Sequence, residues 1–174
     1  MRNTNSIVFY KRPGFWRSLI IQMALLTIVY VGFQFWQSRN AISGPAPAIN
    51  AKLLNGQTVS LNSFIGKPVL IHFWASWCPI CRFEEATISS LSKQYAVLSF
   101  ATQSGNQDEV AAYVKQQNIE FPVIMDEVGD WAQHYGVAGF PTSVIIDAKG
   151  EVFDVEVGYS SYWGLRLRLF LAGL

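Results

Sequence analysis

Phe73-Trp74-Ala75-Ser76-Trp77-Cys78-Pro79-Ile80-Cys81 holds both cysteines of the chain, two residues apart. An apolar run from 68 to 73 leads into the pair. A helix-like pattern from 82 to 95 follows it. That layout places two thiols where a buried strand meets the start of a helix. Unpaired backbone N–H groups and the positive end of the helix dipole stabilise a thiolate there. Cysteines this close cannot staple distant parts of a fold, so they read as chemistry rather than architecture. A structural zinc site needs about four ligands, and the two thiols plus His72 and His134 make a poor set.

Working outward, residues 69–74 form a continuous apolar strand of the kind buried on both faces of a sheet. Upstream, 49–54 and 57–61 flank Asn55-Gly56 and predict a β-hairpin, with one helical turn beginning at Asn62 or Ser63. Downstream, the pattern predicts a helix over 78–95, its apolar positions being Ile80, Phe83, Ala86 or Thr87, Leu91 and Tyr95. A strand at 96–102, a helix at 106–117, a short strand at 121–125 and a short helix at 130–135 come next. Strands at 142–147 and 151–157 pair about a turn at 148–150, and a helix at 162–172 closes the chain. The order is α/β, with a parallel first half and an antiparallel second half around a mixed central sheet.

The N-terminal part differs in character. The chain has 174 residues, 51% of them hydrophobic, and a net charge of only +1. Arg2, Lys11, Arg12 and Arg17 give the first 17 residues a charge of +4, whereas residues from 41 onward carry 8 Lys/Arg against 12 Asp/Glu. The globular part is therefore mildly acidic, which argues against nucleic-acid binding. Residues 19–36 are nearly all apolar and as a helix would span roughly 27 Å, about the hydrocarbon thickness. Aromatic residues stand near both ends. The expectation is a cytoplasmic N-terminus at 1–18, a single transmembrane anchor at 19–36, a linker at 37–47 and a folded domain at 48–174 beyond the membrane. The segment after Trp36 lacks the small-residue site of a cleaved signal peptide.

The domain resembles thioredoxin-fold proteins, and more narrowly the membrane-anchored TlpA/ResA/DsbE type. The resemblance covers roughly residues 45–172. It rests on Gly66-Lys67-Pro68, on Trp77-Cys78-Pro79-Ile80-Cys81 with Glu84, and on Gly139-Phe140-Pro141-Thr142 some 60 residues later. The Cys-Pro-Ile-Cys core adds a likeness to the suppressor-of-copper-sensitivity D-like branch. The resemblance implies a three-layer thioredoxin fold, a cis peptide bond before Pro141, and Pro141 facing the cysteines. His72 stands where the family usually has a buried acid that relays protons to the second cysteine. It is either a substitute relay or a packed neutral histidine. Thr142 stands where the cytochrome-maturation branch typically has Glu, and Ala86 replaces a proline common in TlpA-like helices.

Cys78, at the helix start, is the expected exposed nucleophile, and Cys81, one turn inside, the resolving thiol. Pro79 suits the first helical turn, and Pro79-Ile80 tunes the redox poise. Trp77 is expected to pack over the disulfide as part of an apolar platform, and Trp74 to be core. Phe140 and Thr142 are the expected substrate-binding residues, Phe140 through strand-like pairing with an extended chain. Glu84 and Glu85 read as dipole partners of the helix. No cofactor is expected beyond the Cys78–Cys81 couple. The expected partners are protein thiols and disulfides, the inner membrane through 19–36, and a transmembrane thiol-electron transporter as donor. The leading reading is a periplasmic reductase. The open alternatives are an oxidase or isomerase, or a non-catalytic copper- or partner-binding module.

Overall fold

A computed structural model describes residues 13–38 and 42–174. The expected cytoplasmic tail at 1–12 and the linker residues 39–41 lie outside the described residues. The chain divides into two units, 1–39 and 40–174. In the first, α1 runs Pro13–Ser38. Its side chains Ile20, Ile21, Met23, Leu25, Leu26, Ile28 and Val29 are each more than half exposed, and they point in all directions around the helix. Such a helix is not a core element of the unit it belongs to. The side chains of residues 13–15, 30, 31 and 33–38 lie outside the described set, and among the described residues no helix is long and apolar enough to cross a membrane.

The second unit is built on a six-stranded sheet of order β1-β8-β7-β4-β5-β6. The strands are β1 (Gly44–Pro45), β4 (Val69–Trp74), β5 (Ala96–Thr102), β6 (Val123–Asp126), β7 (Thr142–Ile146) and β8 (Glu151–Val157). β4, β5 and β6 are parallel, while β7 runs antiparallel to β4 and to β8. The expected hairpin is present as β2 (Asn50–Lys52) and β3 (Thr58–Ser60), a separate two-stranded sheet. β1 draws two residues of the expected linker into the sheet, pairing Gly44 with Val152 and Pro45 with Glu151.

Every residue of β4 is buried, as its unbroken apolar run requires. Strand alternation then sorts its side chains into two cores. Val69, Ile71 and Phe73 join Leu98, Phe100, Val144 and Tyr135 on one face. Leu70 and Trp74 face the other, with Cys78, Cys81, Ile88 and Leu91. Helices α2 (Pro79–Ser92), α3 (Gln107–Gln116) and α5 (Tyr162–Ala172) cover that second face through Ile88, Val110, Leu165 and Leu169. The short α4 (Asp130–His134) and the hairpin cover the first through Ala132 and Ile49. The result is a three-layer α/β thioredoxin-like fold. Each fully buried Leu, Ile or Phe contributes roughly 1.5–3 kcal/mol by leaving water.

Two helices differ from the sequence reading. α2 stops at Ser92, three residues short of the expected 95. More consequentially, its buried side chains are Cys81, Glu84, Ile88 and Leu91, whereas Ile80 and Phe83 are exposed. Of the apolar positions read from the sequence, Leu91 is buried as expected, whereas Ile80 and Phe83 point outward, because Cys81 and the Glu84 carboxyl occupy the core side of the first turns.

Candidate active site

The central strand β4 delivers the chain to the C-terminal end of the parallel strands, and Ala75-Ser76-Trp77 turns it into α2. Cys78 is the N-cap of α2, in extended conformation, and its Sγ accepts from the Cys81 N–H at 3.3 Å. Pro79 takes the first helical position, where a missing N–H costs nothing. Cys78 and Cys81 form a disulfide with Cα atoms 5.4 Å apart. Both thiols' sulfurs sit at the positive end of a 14-residue helix. The expected exposure of Cys78 is corrected: in the disulfide it is 5% exposed, against 1% for Cys81. It remains the more open of the two, because the N-cap lies at the rim and Cys81 one turn into the core.

The loop before β7 closes over the disulfide. The Phe140–Pro141 peptide bond is cis. The Phe140 carbonyl oxygen stands 3.7 Å from Cys78 Sγ, so this loop and the disulfide share one surface. Gly158, at φ +95° after β8, donates its N–H to the Pro141 carbonyl at 2.8 Å and fixes the loop from behind. Trp77 is 58% exposed. Its indole donates to the Gln103 carbonyl at 2.9 Å and meets the Phe140 ring edge-on at 5.8 Å. Gln103 reaches that position with φ +48°, an unusual conformation for a residue with a side chain. No sequence pattern singled it out, since it offers a backbone atom. Trp77, Ile80 and Phe140 give the rim of the site an apolar character, and Phe83 is exposed further along α2. Trp74, by contrast, is core, stacked on Tyr113 and bonded to Ser99.

The expectation for Thr142 is corrected. It is fully buried, and its hydroxyl donates to the Gly139 carbonyl at 2.7 Å, so its side chain does not meet a substrate. His72 lies buried on the sheet face that carries the cysteine core, its Nδ1 3.1 Å from Ser143 Oγ. Burial pulls its pKa down to about 3. It is a packed neutral imidazole, which takes up no proton in the working range of a relay.

Glu84, read from the sequence only as a partner of the helix dipole, is instead a buried group of the site. It sits one turn after Cys81 on the same buried side of α2 and is 0% exposed. Its Oε1 accepts from the Ser160 N–H, and among the described residues its Oε2 has no hydrogen-bond partner. Burial raises its pKa to about 7, the Glu156 charge adds to the rise, and the Ser160 bond opposes it. Glu85, its neighbour, faces elsewhere and accepts from Tyr113 Oη at 2.6 Å. A sequence signal was available: a Glu at the helical spacing of Cys81, Ile88 and Leu91.

Comparison with known proteins places this site in context. The family model described as Redoxin matches residues 42–162. A thioredoxin-like protein of Haemophilus influenzae is 34% identical over 154 residues, which cover 87% of this chain and 92% of that protein. The thiol-disulfide oxidoreductase ResA of Bacillus cereus is 32% identical over 140 residues, covering 78% and 81% respectively. Among solved structures, a thiol:disulfide interchange protein of the thioredoxin family from Chlorobium tepidum superposes with a TM-score of 0.67. It is 29% identical and covers 76% of this chain and 97% of its own. StoA of Bacillus subtilis superposes with a TM-score of 0.63 at 25% identity, over 73% of this chain and 98% of its own.

Proposed function

The chain belongs to the Redoxin family, as a thioredoxin-fold thiol–disulfide oxidoreductase of the TlpA/ResA/DsbE type, and on that premise we propose that it is a membrane-tethered reductase of protein disulfides. The observation that carries the chemistry is the Cys78–Cys81 disulfide at the N-cap of α2, facing the Phe140 carbonyl.

In the reductive direction the Cys78 thiolate attacks one sulfur of a substrate disulfide. A mixed disulfide forms and the other substrate sulfur leaves as a thiolate that takes a proton from solvent. Cys81 then loses its proton to the Glu84 carboxylate and attacks Cys78 Sγ. The Cys78–Cys81 bond forms, the Cys78–substrate bond breaks, and the second substrate sulfur departs as a thiolate that takes a proton from solvent. Two electrons and two protons have passed to the substrate. Phe140 and the rim residues Trp77 and Ile80 receive the substrate chain, and Pro141 shapes the surface they share. Resetting the dithiol requires a donor. For a domain outside the cytosol that donor is a thiol-electron transporter in the membrane.

The tether reading is supported by the apolar stretch 19–36, by the exposed apolar side chains on the 26-residue helix α1, and by the basic residues before it. By the positive-inside rule the catalytic domain faces the periplasm or an equivalent space.

The test is the reduction potential of the Cys78–Cys81 couple with insulin reduction as the activity. A potential near roughly −270 mV with turnover supports the reductase, and one near roughly −120 mV makes the protein an oxidant. Cys81→Ala is expected to accumulate mixed disulfides in cells that name donor and substrate. Wild type without insulin reduction would favour the binding module instead.

A further inference from the structure

Glu84 is not an isolated carboxyl. The Ser160 N–H that holds its Oε1 belongs to a residue whose hydroxyl donates to Glu156 Oε2 at 2.6 Å. The other carboxylate oxygen of Glu156 is paired with Arg168 Nη2. Arg168 Nε in turn pairs with Asp154 Oδ2 at 2.6 Å. The chain of contacts therefore runs from the fully buried Glu84 through Ser160, which is 3% exposed, to an ion pair at the partly exposed junction of β8 and α5.

We propose that the Glu156–Arg168 pair is the positioning element for the proton on Glu84, setting through Ser160 the charge that this carboxyl faces while Cys81 is being activated. This rests on the role assigned to Glu84 above.

The geometry gives the two members opposite effects. Ser160 presents its backbone N–H to Glu84 and its hydroxyl to Glu156, so it holds the two carboxylates close on opposite sides of one residue. The negative charge of Glu156 disfavours an ionised Glu84 and adds to the upward shift that burial causes. Arg168 offsets that charge through Nη2 on Oε1 while its Nε holds Asp154, and together with the Ser160 hydroxyl on Oε2 it fixes the carboxylate's orientation. The remaining groups around Glu84 leave this pair in control. On α2, Glu85 is bonded to Tyr113 of α3, and Arg82 stands over the Tyr113 ring. On β4, His72 is neutral. β5 and β7 carry no charged residue. Asp154 faces Arg168 rather than Glu84. Glu156 is half-buried, so its field is screened less than a surface charge would be.

The experiment follows the protonated-carboxyl infrared band that Glu84→Gln removes, titrated in the full-length oxidised protein, beside the pH profile of insulin reduction. Glu156→Gln keeps an acceptor for the Ser160 hydroxyl and deletes the charge. Both midpoints then move down by roughly half to one pH unit. Arg168→Gln moves both up by a similar amount, the double variant lies between the two, and Arg168→Lys stays near wild type. Destabilisation alone would not move the midpoints in opposite directions. Midpoints that stay fixed, or that move the same way in both single variants, overturn the proposal. If Glu84→Gln leaves the activity limb in place, the base role of Glu84 fails. If the limb vanishes in Glu84→Gln yet ignores residues 156 and 168, the pairing inference alone fails.

Discussion

The two sides of α2 are inverted relative to an ordinary surface helix. Its inner side buries Glu84 between Cys81 and Ile88, while its outer side presents Ile80, 48% exposed, and Phe83, 75% exposed, to solvent. A buried carboxyl costs stability unless it is fully hydrogen-bonded, which Glu84 is not among the described residues, and exposed apolar side chains are ordinary singly but informative when they cluster on a helix that begins at a reactive disulfide. In the proposed function the inner inversion would serve proton movement at the second cysteine, and the outer one, with Trp77 and Phe140, would give substrate chains an apolar landing.

The sharpest way to break this contrast is Glu84→Gln, which keeps shape and removes the titrating group. At pH 7 the resolving step is expected to slow by about 100-fold or more, with Cys78–substrate mixed disulfides accumulating in a quenched-flow assay. An unchanged resolving rate would reduce Glu84 to a structural residue.

Stability against pH tests the same side more finely. The folded value of Glu84, about 7, lies above its ordinary 4.5. Its contribution is therefore complete below pH 4.5 and lost as pH rises through 7. In the oxidised protein, the unfolding free energy of Glu84→Gln relative to wild type should grow by roughly 3 kcal/mol between those limits. A constant difference across chemical denaturation series would contradict the burial. His72 supplies the opposite sign: its folded value of about 3 lies below 6.5, so its contribution is present above pH 6.5 and lost as pH falls toward 3.

The smallest effects separate the sides by kind. Ile88→Val, in the fully buried row, should cost about 1 kcal/mol in denaturant melts and leave the reduction potential alone. Phe83→Ser should change stability by less than about 0.5 kcal/mol and raise the KM for protein disulfides several-fold while sparing a small-molecule disulfide. Equal effects on both substrates would remove Phe83 from the landing surface.

Much of this was legible before any coordinates. The apolar run before the cysteines, the Asn55-Gly56 turn and the alternation around residues 142–157 are local signals, and the corresponding strands stand within a residue or two of expectation. β1 escaped notice because a two-residue strand made of Gly44 and Pro45 has no pattern of its own and exists only by pairing with β8. Thr142 looked available because it follows Pro141. Its side chain turns inward because strand alternation in β7 leaves both sheet faces covered.

The sequence by itself determined the chemistry: two thiols at a strand-to-helix junction, the proline loop that faces them, and an apolar segment set apart from a mildly acidic domain. These are short-range facts, readable from spacing and composition. Only the tertiary structure separated the two titratable groups near the second cysteine. From the sequence His72 read as a relay or a packed neutral histidine, and Glu84 as a partner of the helix dipole. Their protonation depends on what surrounds them, and Ser143, Ser160, Glu156 and Arg168 reach the site from 71 to 84 positions along the chain from those two residues. Desolvation and Coulomb fields act through space, so no local reading of α2 could assign the proton.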